Sequence, residues 1–278
     1  MLSGSISLKS AEAIAIGAFD GMHRAHQELF KRLGDKGAIV VIDKEDALLT
    51  PGELRCKYTH YPCLFLKLQQ IRHLDAAGFI ALLKKHFPHL KKIVVGYDFA
   101  FGKNRKYKAQ DLHNYFDGEV EIVDEVKIDG VSVHSRIIKE YIKKGEIAQV
   151  NRLLGRCYEI VGKRVAGQGI GSKELVPTMN LKVERFLLPQ EGVYATYTRI
   201  AQKKYRSVTF IGHRYVTDGS FAVETYILEE FTEGSDEIGI MFAAFIRKNK
   251  KFDSLHELKK QIEDDIKKAQ EILKDIQC

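Results

Sequence analysis

Residues 13–30 read AIAIGAFDGMHRAHQELF, and the fold of the first half of the chain turns on this stretch. Ala13 to Ile16 is a short, continuous apolar run of the kind a buried parallel strand requires. Gly17, Ala18, Phe19, Asp20 and Gly21 follow as a tight turn. His23 and His26 then open a segment in which Leu29, Phe30 and Leu33 recur at helical spacing. A strand, a glycine turn and a helix start bring backbone N–H groups and the positive end of a helix to one place, where a phosphate can be held. His23 and His26 share one face of the first helical turn. Imidazoles so placed can stabilise charge on a phosphoryl group in transfer. Two plainer readings stay open on these residues alone: a surface helix with two solvated histidines, or half of a zinc site. Zinc needs further ligands, and no nearby cysteine pair supplies them.

Outward from this stretch, the chain of 278 residues is long enough for two domains. Hydrophobic residues at 45% and charged residues at 29% place it among ordinary globular proteins. No apolar run approaches the roughly 20 residues needed to cross a bilayer, so no membrane association is expected. The opening MLSGSISLKSAEA lacks the charged start, apolar centre and cleavage site of a secretory signal. Cys56, Cys63, Cys157 and Cys278 show no C-x-x-C spacing, which indicates neither a zinc ribbon nor a disulfide framework and suits a reducing cytoplasm. The net charge of +7 favours anionic substrates such as nucleotides, or serves solubility alone. No aromatic-interleaved basic stripe is present, so no nucleic-acid partner is expected, and no obligatory protein partner is evident.

Strand-like and helix-like stretches alternate through the first half, the signature of a parallel α/β sheet. Strands are expected at 38–42, 63–68, 92–96 and 119–123. Asp75 is placed to cap a helix ended by Pro88, and further helices are expected at 109–116, at 136–144 with Ser135 as cap and Gly145 as stop, and at 147–154. From Cys157 onward the helical period gives way to β-branched runs separated by turn residues, including GVYATYTRI, YRSVTFIG, FAVETYILE and EIGIMFAAFIRK. This pattern predicts an antiparallel barrel. Ser254-Leu255-His256-Glu257 is a capping box, and Leu255, Leu258, Ile262, Ile266, Ala269 and Leu273 line one face of a final helix. The expected architecture is a Rossmann-like α/β domain over 1–155 and an antiparallel β-barrel domain with a terminal helix over 156–278.

Four further blocks carry possible chemistry. Gly96 to Arg105, GYDFAFGKNR, follows a strand and so lies at a sheet's carboxyl edge. Asp98, Phe99, Phe101 and Arg105 could shape a slot for a flat ring with cations near phosphates; the plain reading is a polar loop with core phenylalanines. Val133 to Ile137, VHSRI, puts Ser135 and Arg136 at a helix start, suited to phosphates or to nothing more than a cap and a solvated charge. Residues 162–181 read GKRVAGQGIGSKELVPTMNL, whose glycines fit neither a dinucleotide fingerprint nor a Walker loop. Its Pro177-Thr178-Met179-Asn180 segment is by itself an ordinary turn. Glu224, in FAVETYIL, is by itself a strand glutamate.

Taken in order, these blocks resemble the bacterial bifunctional riboflavin kinase/FMN adenylyltransferase (FAD synthetase) family along nearly the whole chain. GAFDGMHRAHQ is similar to its G-x-F-D-G-x-H-x-G-H-Q signature, residues 95–105 to V-G-x-D-F-x-F-G-x-x-R, VHSRI to S-S-T-R-I, PTMN to P-T-A-N and VET to its catalytic E-T position. The resemblance implies phosphorylation of riboflavin to FMN and adenylylation of FMN to FAD, with ATP as co-substrate and Mg²⁺ as cofactor. It implies that Thr178 and Asn180 hold Mg²⁺ and that Glu224 deprotonates or orients the ribityl hydroxyl. It implies that His23 and His26 act on the α- and β-phosphates, and that Arg136 meets the outer ones. Gly17, Phe19, Asp20, Gly21 and Ser135, with Gly167 and Gly171 of the second module, are assigned to ATP phosphates. The chain departs from the family at Ala18 (usually Asn) and Ala25 (usually Gly). It also departs in DKEDALLTPGEL, where an F-x-P-x-P-like segment is absent, and in GSKELV before PTMN. The departures concentrate in the first module, so FMN binding there is expected to be weak. Rival readings are a kinase with an inactive transferase module, an adenylyltransferase for another mononucleotide, against which PTMN and VET argue, and a non-catalytic flavin-binding regulatory protein.

Overall fold

The computed structural model describes residues 7–166, 176–215, 218–231 and 234–278. The chain divides into two compact units, Met1–Ser135 and Arg136–Cys278.

The first unit is built on a parallel sheet of β1 (Ala13–Gly17), β2 (Gly37–Asp43), β3 (Cys63–Lys67), β4 (Lys92–Gly96) and β5 (Glu119–Val123), in the spatial order β3-β2-β1-β4-β5. Central β1 pairs with β2 on one side and β4 on the other. Its alternate side chains go to opposite faces, and both faces are covered. Ile14 and Ile16 join Val40, Ile93 and Val95 beneath Phe79, Ile80 and Leu83 of the helix Ala76–His86. Ala13 and Ala15 join Ile39, Val41 and Val94 beneath Leu29, Phe30 and Leu33, which belong to helix α1 (Arg24–Phe30) and the turn after it. That two-sided burial is why β1 reads as an unbroken apolar run. Asp75 caps α2 (Ala76–His86) by accepting from the Gly78 N–H at 2.8 Å. The stretch expected as a helix at 109–116 is a 3₁₀ segment, Ala109–Asn114.

The second unit begins one residue into α3 (Ser135–Lys143), and α4 (Ile147–Leu154) then precedes a closed antiparallel barrel. Its strands are β6 (Tyr158–Val165), β7 (Met179–Val183), β8 (Gly192–Ile200), β9 (Lys203–His213), β10 (Phe221–Ile227) and β11 (Glu237–Lys248), in the order β6-β7-β10-β9-β8-β11. The change of sequence pattern at Arg156 and the packing boundary at Arg136 differ because α3 and α4, helical like the first half, are tied to the barrel. The Asn151 side chain donates to the Phe242 carbonyl at 2.8 Å and accepts from the Tyr158 N–H at 2.8 Å, and the Gln190 N–H donates to the Ile142 carbonyl.

The barrel interior holds a ring of hydroxyls. Thr196, Thr198, Ser207, Thr209 and Thr225 are all fully buried. They close in the sequence Thr196–Ser207 (2.8 Å), Ser207–Thr198 (2.9 Å), Thr198–Thr225 (3.0 Å), Thr225–Thr209 (3.0 Å) and Thr209–Thr196 (2.8 Å). Each hydroxyl can donate once and accept once around the ring, so a polar core is satisfied without water. Thr209→Val keeps the shape but leaves Thr196 and Thr225 each short of a partner. We expect a loss of about 1–3 kcal/mol in the barrel's urea transition; an unshifted midpoint would mean the ring carries no net stability.

The terminal helix α5 (Leu255–Asp275) starts at Ser254, whose hydroxyl accepts from the Glu257 N–H. Its buried face is the expected one from Leu258 onward, with Leu258 and Ile262 half-buried. Ala269 and Leu273 are buried and Ile266 packs with them, but Leu255 is exposed. The middle of the helix is also held by Asp265, buried in a bidentate pair with Arg247 of β11. The expectation of no disulfide framework is corrected by the structure: the four cysteines form two disulfides, Cys56–Cys63 and Cys157–Cys278, pairs that sequence spacing does not reveal. The second pair joins residues 121 apart, a juxtaposition that only the closed barrel and its helix create.

Candidate active sites

In the first unit the turn after β1 is tightly determined. A side chain at Gly17 would meet the Phe19 ring at 2.9 Å, so glycine is needed there. Phe19 (φ 54°) and Met22 (φ 45°) are both buried in left-handed backbone, a conformation costing about 1–3 kcal/mol for such residues. Neighbouring contacts enforce it. The Asp20 carboxylate accepts from the N–H groups of Leu48, Leu49 and Thr50 at 3.3, 2.9 and 3.0 Å. The Gly21 N–H donates to the Thr50 hydroxyl at 2.7 Å, and the Ser135 hydroxyl donates to the Asp20 carbonyl at 2.7 Å. Ser135 is thus a clamp on the GAFDG turn rather than the helix cap expected of it, and Asp20 anchors the segment after β2.

This geometry delivers two histidines side by side. His23 precedes α1 in extended backbone and is buried, and its ring stacks on that of His26 with centroids 3.5 Å apart and planes at 18°. The edge of Phe19 backs His26 at 5.0 Å. Arg55 completes the support from a segment that carries no recognisable signal. It is 2% exposed and donates to the carbonyls of Ala18 (2.9 Å) and Gly52 (3.0 Å) and to Asp43 (2.7 Å), over the Phe65 ring. The contacts of Thr50 to Gly21 and of Arg55 to Ala18 span 29 and 37 residues, so neither leaves a local signal in the sequence.

In the GYDFAFGKNR loop, Phe101 is buried in the core beneath α2 and stacks against Phe99, while Asp98 and Arg105 are exposed. Asn104 and Arg105 take left-handed backbone, φ 59° and 56°, which turns the loop sharply. The Tyr97 hydroxyl lies 3.1 Å from His134 Nε2 and links this loop to the VHSRI block. Arg136 is exposed at the beginning of the second unit.

In the second unit, β7 and β10 are antiparallel neighbours in which Asn180 lies opposite Glu224 and Met179 opposite Thr225. Strand alternation sends Met179 and Thr225 inward, where both are buried, and leaves Asn180 and Glu224 together on the outer face. Thr178, Met179 and Asn180 line a cavity of about 420 Å³ with Arg164, Val165, Ala166 and Asp236. Gly167 and Gly171 lie outside the described residues. One side chain there was not anticipated. The Arg214 guanidinium donates to Glu224 Oε1 from Nε (2.9 Å) and Nη2 (2.6 Å), and to Asn180 Oδ1 from Nη2 (2.5 Å). The Thr178 hydroxyl and the Asn180 amide oxygen are hard oxygen donors of the type Mg²⁺ takes. Asn180 Oδ1 already receives a cationic group, as an oxygen suited to a cation does.

The chain is similar to known proteins along nearly its whole length. A riboflavin kinase family model matches residues 154–273, and an FAD synthetase family model matches residues 63–137. A bifunctional riboflavin kinase/FMN adenylyltransferase of Listeria monocytogenes is 29% identical, with 91% of this chain and 90% of the relative covered. One of the same description from Escherichia coli is 27% identical, covering 93% and 91%. A crystal structure described as a macrolide-efflux protein from Streptococcus pneumoniae has a TM-score of 0.83 at 29% identity, covering 94% of each chain. No helix among the described residues is long and apolar enough to cross a membrane. With both family models on one chain, in the order in which the two sites occur, the chain carries an FAD synthetase domain followed by a riboflavin kinase domain.

Proposed function

We propose that the chain phosphorylates riboflavin to FMN and adenylylates FMN to FAD, with the kinase chemistry in 156–278 and the transferase chemistry in 1–155. The observation that carries the kinase assignment is the cross-strand pairing of Asn180 with Glu224, next to Thr178 on a polar cavity. Glu224 orients the ribityl 5′-hydroxyl and takes its proton as the oxygen attacks the γ-phosphorus of ATP, and the bond to the ADP oxygen breaks. Thr178 and Asn180 are the residues that would hold Mg²⁺, which supplies charge neutralisation on the phosphates when bound. In the second reaction an FMN phosphate oxygen attacks the α-phosphorus of another ATP and pyrophosphate leaves, so no protein nucleophile is required. His23 and His26 donate to the α- and β-phosphate oxygens, where charge develops. Arg136 meets the outer phosphates, and the Asp98 to Arg105 loop borders the ring-binding side. We also place the enzyme in the cytoplasm, a compartment in which its two disulfides, Cys56–Cys63 and Cys157–Cys278, are unusual.

Incubation of the full chain with riboflavin, ATP and Mg²⁺, followed by separation of the flavins, tests this reading. FMN and FAD are both expected. FMN without FAD leaves a kinase alone, and retention of riboflavin without consumption of ATP identifies a flavin-binding protein.

A further inference from the structure

Arg214 stands immediately after β9 and reaches both polar residues of the kinase site at once. Its side chain is 17% exposed and that of Glu224 is 22% exposed, so the contact is shielded on most sides. The guanidinium is a planar fork, and here the fork is divided. Nε and Nη2 converge on one Glu224 carboxylate oxygen, Nη2 also lies 2.5 Å from Asn180 Oδ1, and Nη1 donates to the Ser220 hydroxyl at 2.8 Å. The backbone is tied in as well, since the Arg214 N–H donates to the Ser220 carbonyl at 3.0 Å. A lysine has a single nitrogen and lacks this forked reach. The arrangement places a positive charge on the amide oxygen that a divalent cation would use, and the same charge on the carboxylate that would meet the substrate hydroxyl. Two cations cannot share the Asn180 oxygen at bonding distance without strong repulsion.

We propose that Arg214 is the resting occupant of the cation position at the kinase site: it leaves Asn180 when a divalent cation arrives with the nucleotide, and stays on Glu224 as the group that positions that carboxylate. The inference rests on the kinase reading above and goes beyond it, because it gives the site a built-in order. The metal must displace a charge already present, so metal entry and release of the guanidinium from Asn180 are one event. Once freed from Asn180, Nη2 engages Glu224 alone while Nη1 stays on Ser220, and the carboxylate is held in one orientation as the nucleotide becomes bound. Arg214 is a positioning residue here, acting through Glu224 and through competition for Asn180.

The test compares the full-length wild-type protein with Arg214→Gln and Arg214→Lys. ADP binding is measured calorimetrically over a series of Mg²⁺ concentrations, and FMN formation is followed in parallel. The nucleotide site of the first unit is the same in all three proteins, so any difference belongs to the barrel. Removing a full positive charge next to the metal position should lower the Mg²⁺ concentration for half-maximal ADP binding by about tenfold in Arg214→Gln. The same variant should lose kcat with little rise in the KM for ATP, because the carboxylate loses its holder while nucleotide binding improves. Arg214→Lys should recover part of kcat and keep part of the Mg²⁺ shift, since one ammonium touches one oxygen at a time. An unchanged or raised Mg²⁺ requirement in Arg214→Gln overturns the proposal. Should that variant fail to fold by circular dichroism, a lysine variant identical to wild type in both Mg²⁺ dependence and kcat overturns it instead. A wild-type protein that makes no FMN rejects the kinase reading and this inference together. FMN from the wild type with unmoved Mg²⁺ dependence in the variants rejects this inference alone.

Discussion

Glu224→Gln is expected to slow FMN formation by about 10²-fold or more, the size of a lost general base, while the barrel stays folded. The substitution keeps the length of the side chain and an oxygen that can still accept from Arg214, so the cross-strand position opposite Asn180 survives. What disappears is the negative charge and with it the capacity to take the proton of the attacking hydroxyl. Glu224 is partly exposed and its inward neighbour Thr225 carries the buried ring contact, so the stability cost is small. Steady-state FMN production with riboflavin and ATP, set beside a thermal melt, makes the measurement. A folded variant that works at the wild-type rate would remove Glu224 from the mechanism and leave it a surface strand residue.

The residues that sequence made legible are those whose function follows from their neighbours along the chain. The strand–turn–helix at 13–30 is such a case, since strand burial, the glycine at 17 and the pairing of His23 with His26 are all local. The strands that carry Asn180 and Glu224 also follow from β-branched patterning, but the two residues by themselves read as part of a turn and an ordinary strand glutamate, and only the family resemblance singles them out. What could not be read is what depends on pairing across the barrel or across the sheet edge. Arg214 contacts Asn180 across 34 residues of chain, and nothing in GHRY marks it. The hydroxyl ring draws on three strands, and its members look like ordinary strand threonines and a serine until β8, β9 and β10 are placed in register. Helix α5 shows the opposite failure. Its apolar stripe is real, but Leu255 at its start is exposed and the middle of the helix also docks through Asp265 and Arg247. A periodicity argument counts apolar residues and cannot anticipate a charge that is buried because its partner is waiting on another strand.

His23→Ala is expected to cut FAD formation by at least about 10²-fold, as removal of a donor to developing phosphate charge does, and to leave riboflavin phosphorylation intact. The second half follows from the separation of the chemistry, because the kinase residues Asn180, Glu224 and Arg214 all lie in Arg136–Cys278. The first half follows from the place of His23 at the mouth of the GAFDG turn, stacked on His26 and held there by a backbone that is itself forced into left-handed conformations at Phe19 and Met22. Since His23 is buried, alanine also leaves a gap beside His26, and His23→Gln serves as the control that keeps bulk and one hydrogen-bonding group. Supplying FMN and ATP directly, and following pyrophosphate and FAD, isolates the transferase step from the supply of FMN by the barrel. The segment after β2 that departs from the family is folded onto the turn by Thr50 and Arg55, so a raised KM for FMN in the wild type is the expected mark of that departure. If His23→Ala and His23→Gln both make FAD at the wild-type rate, the histidine pair has no part in adenylyl transfer. If the wild type makes none even at high FMN, the departure after β2 has cost the module its activity, and the barrel works alone.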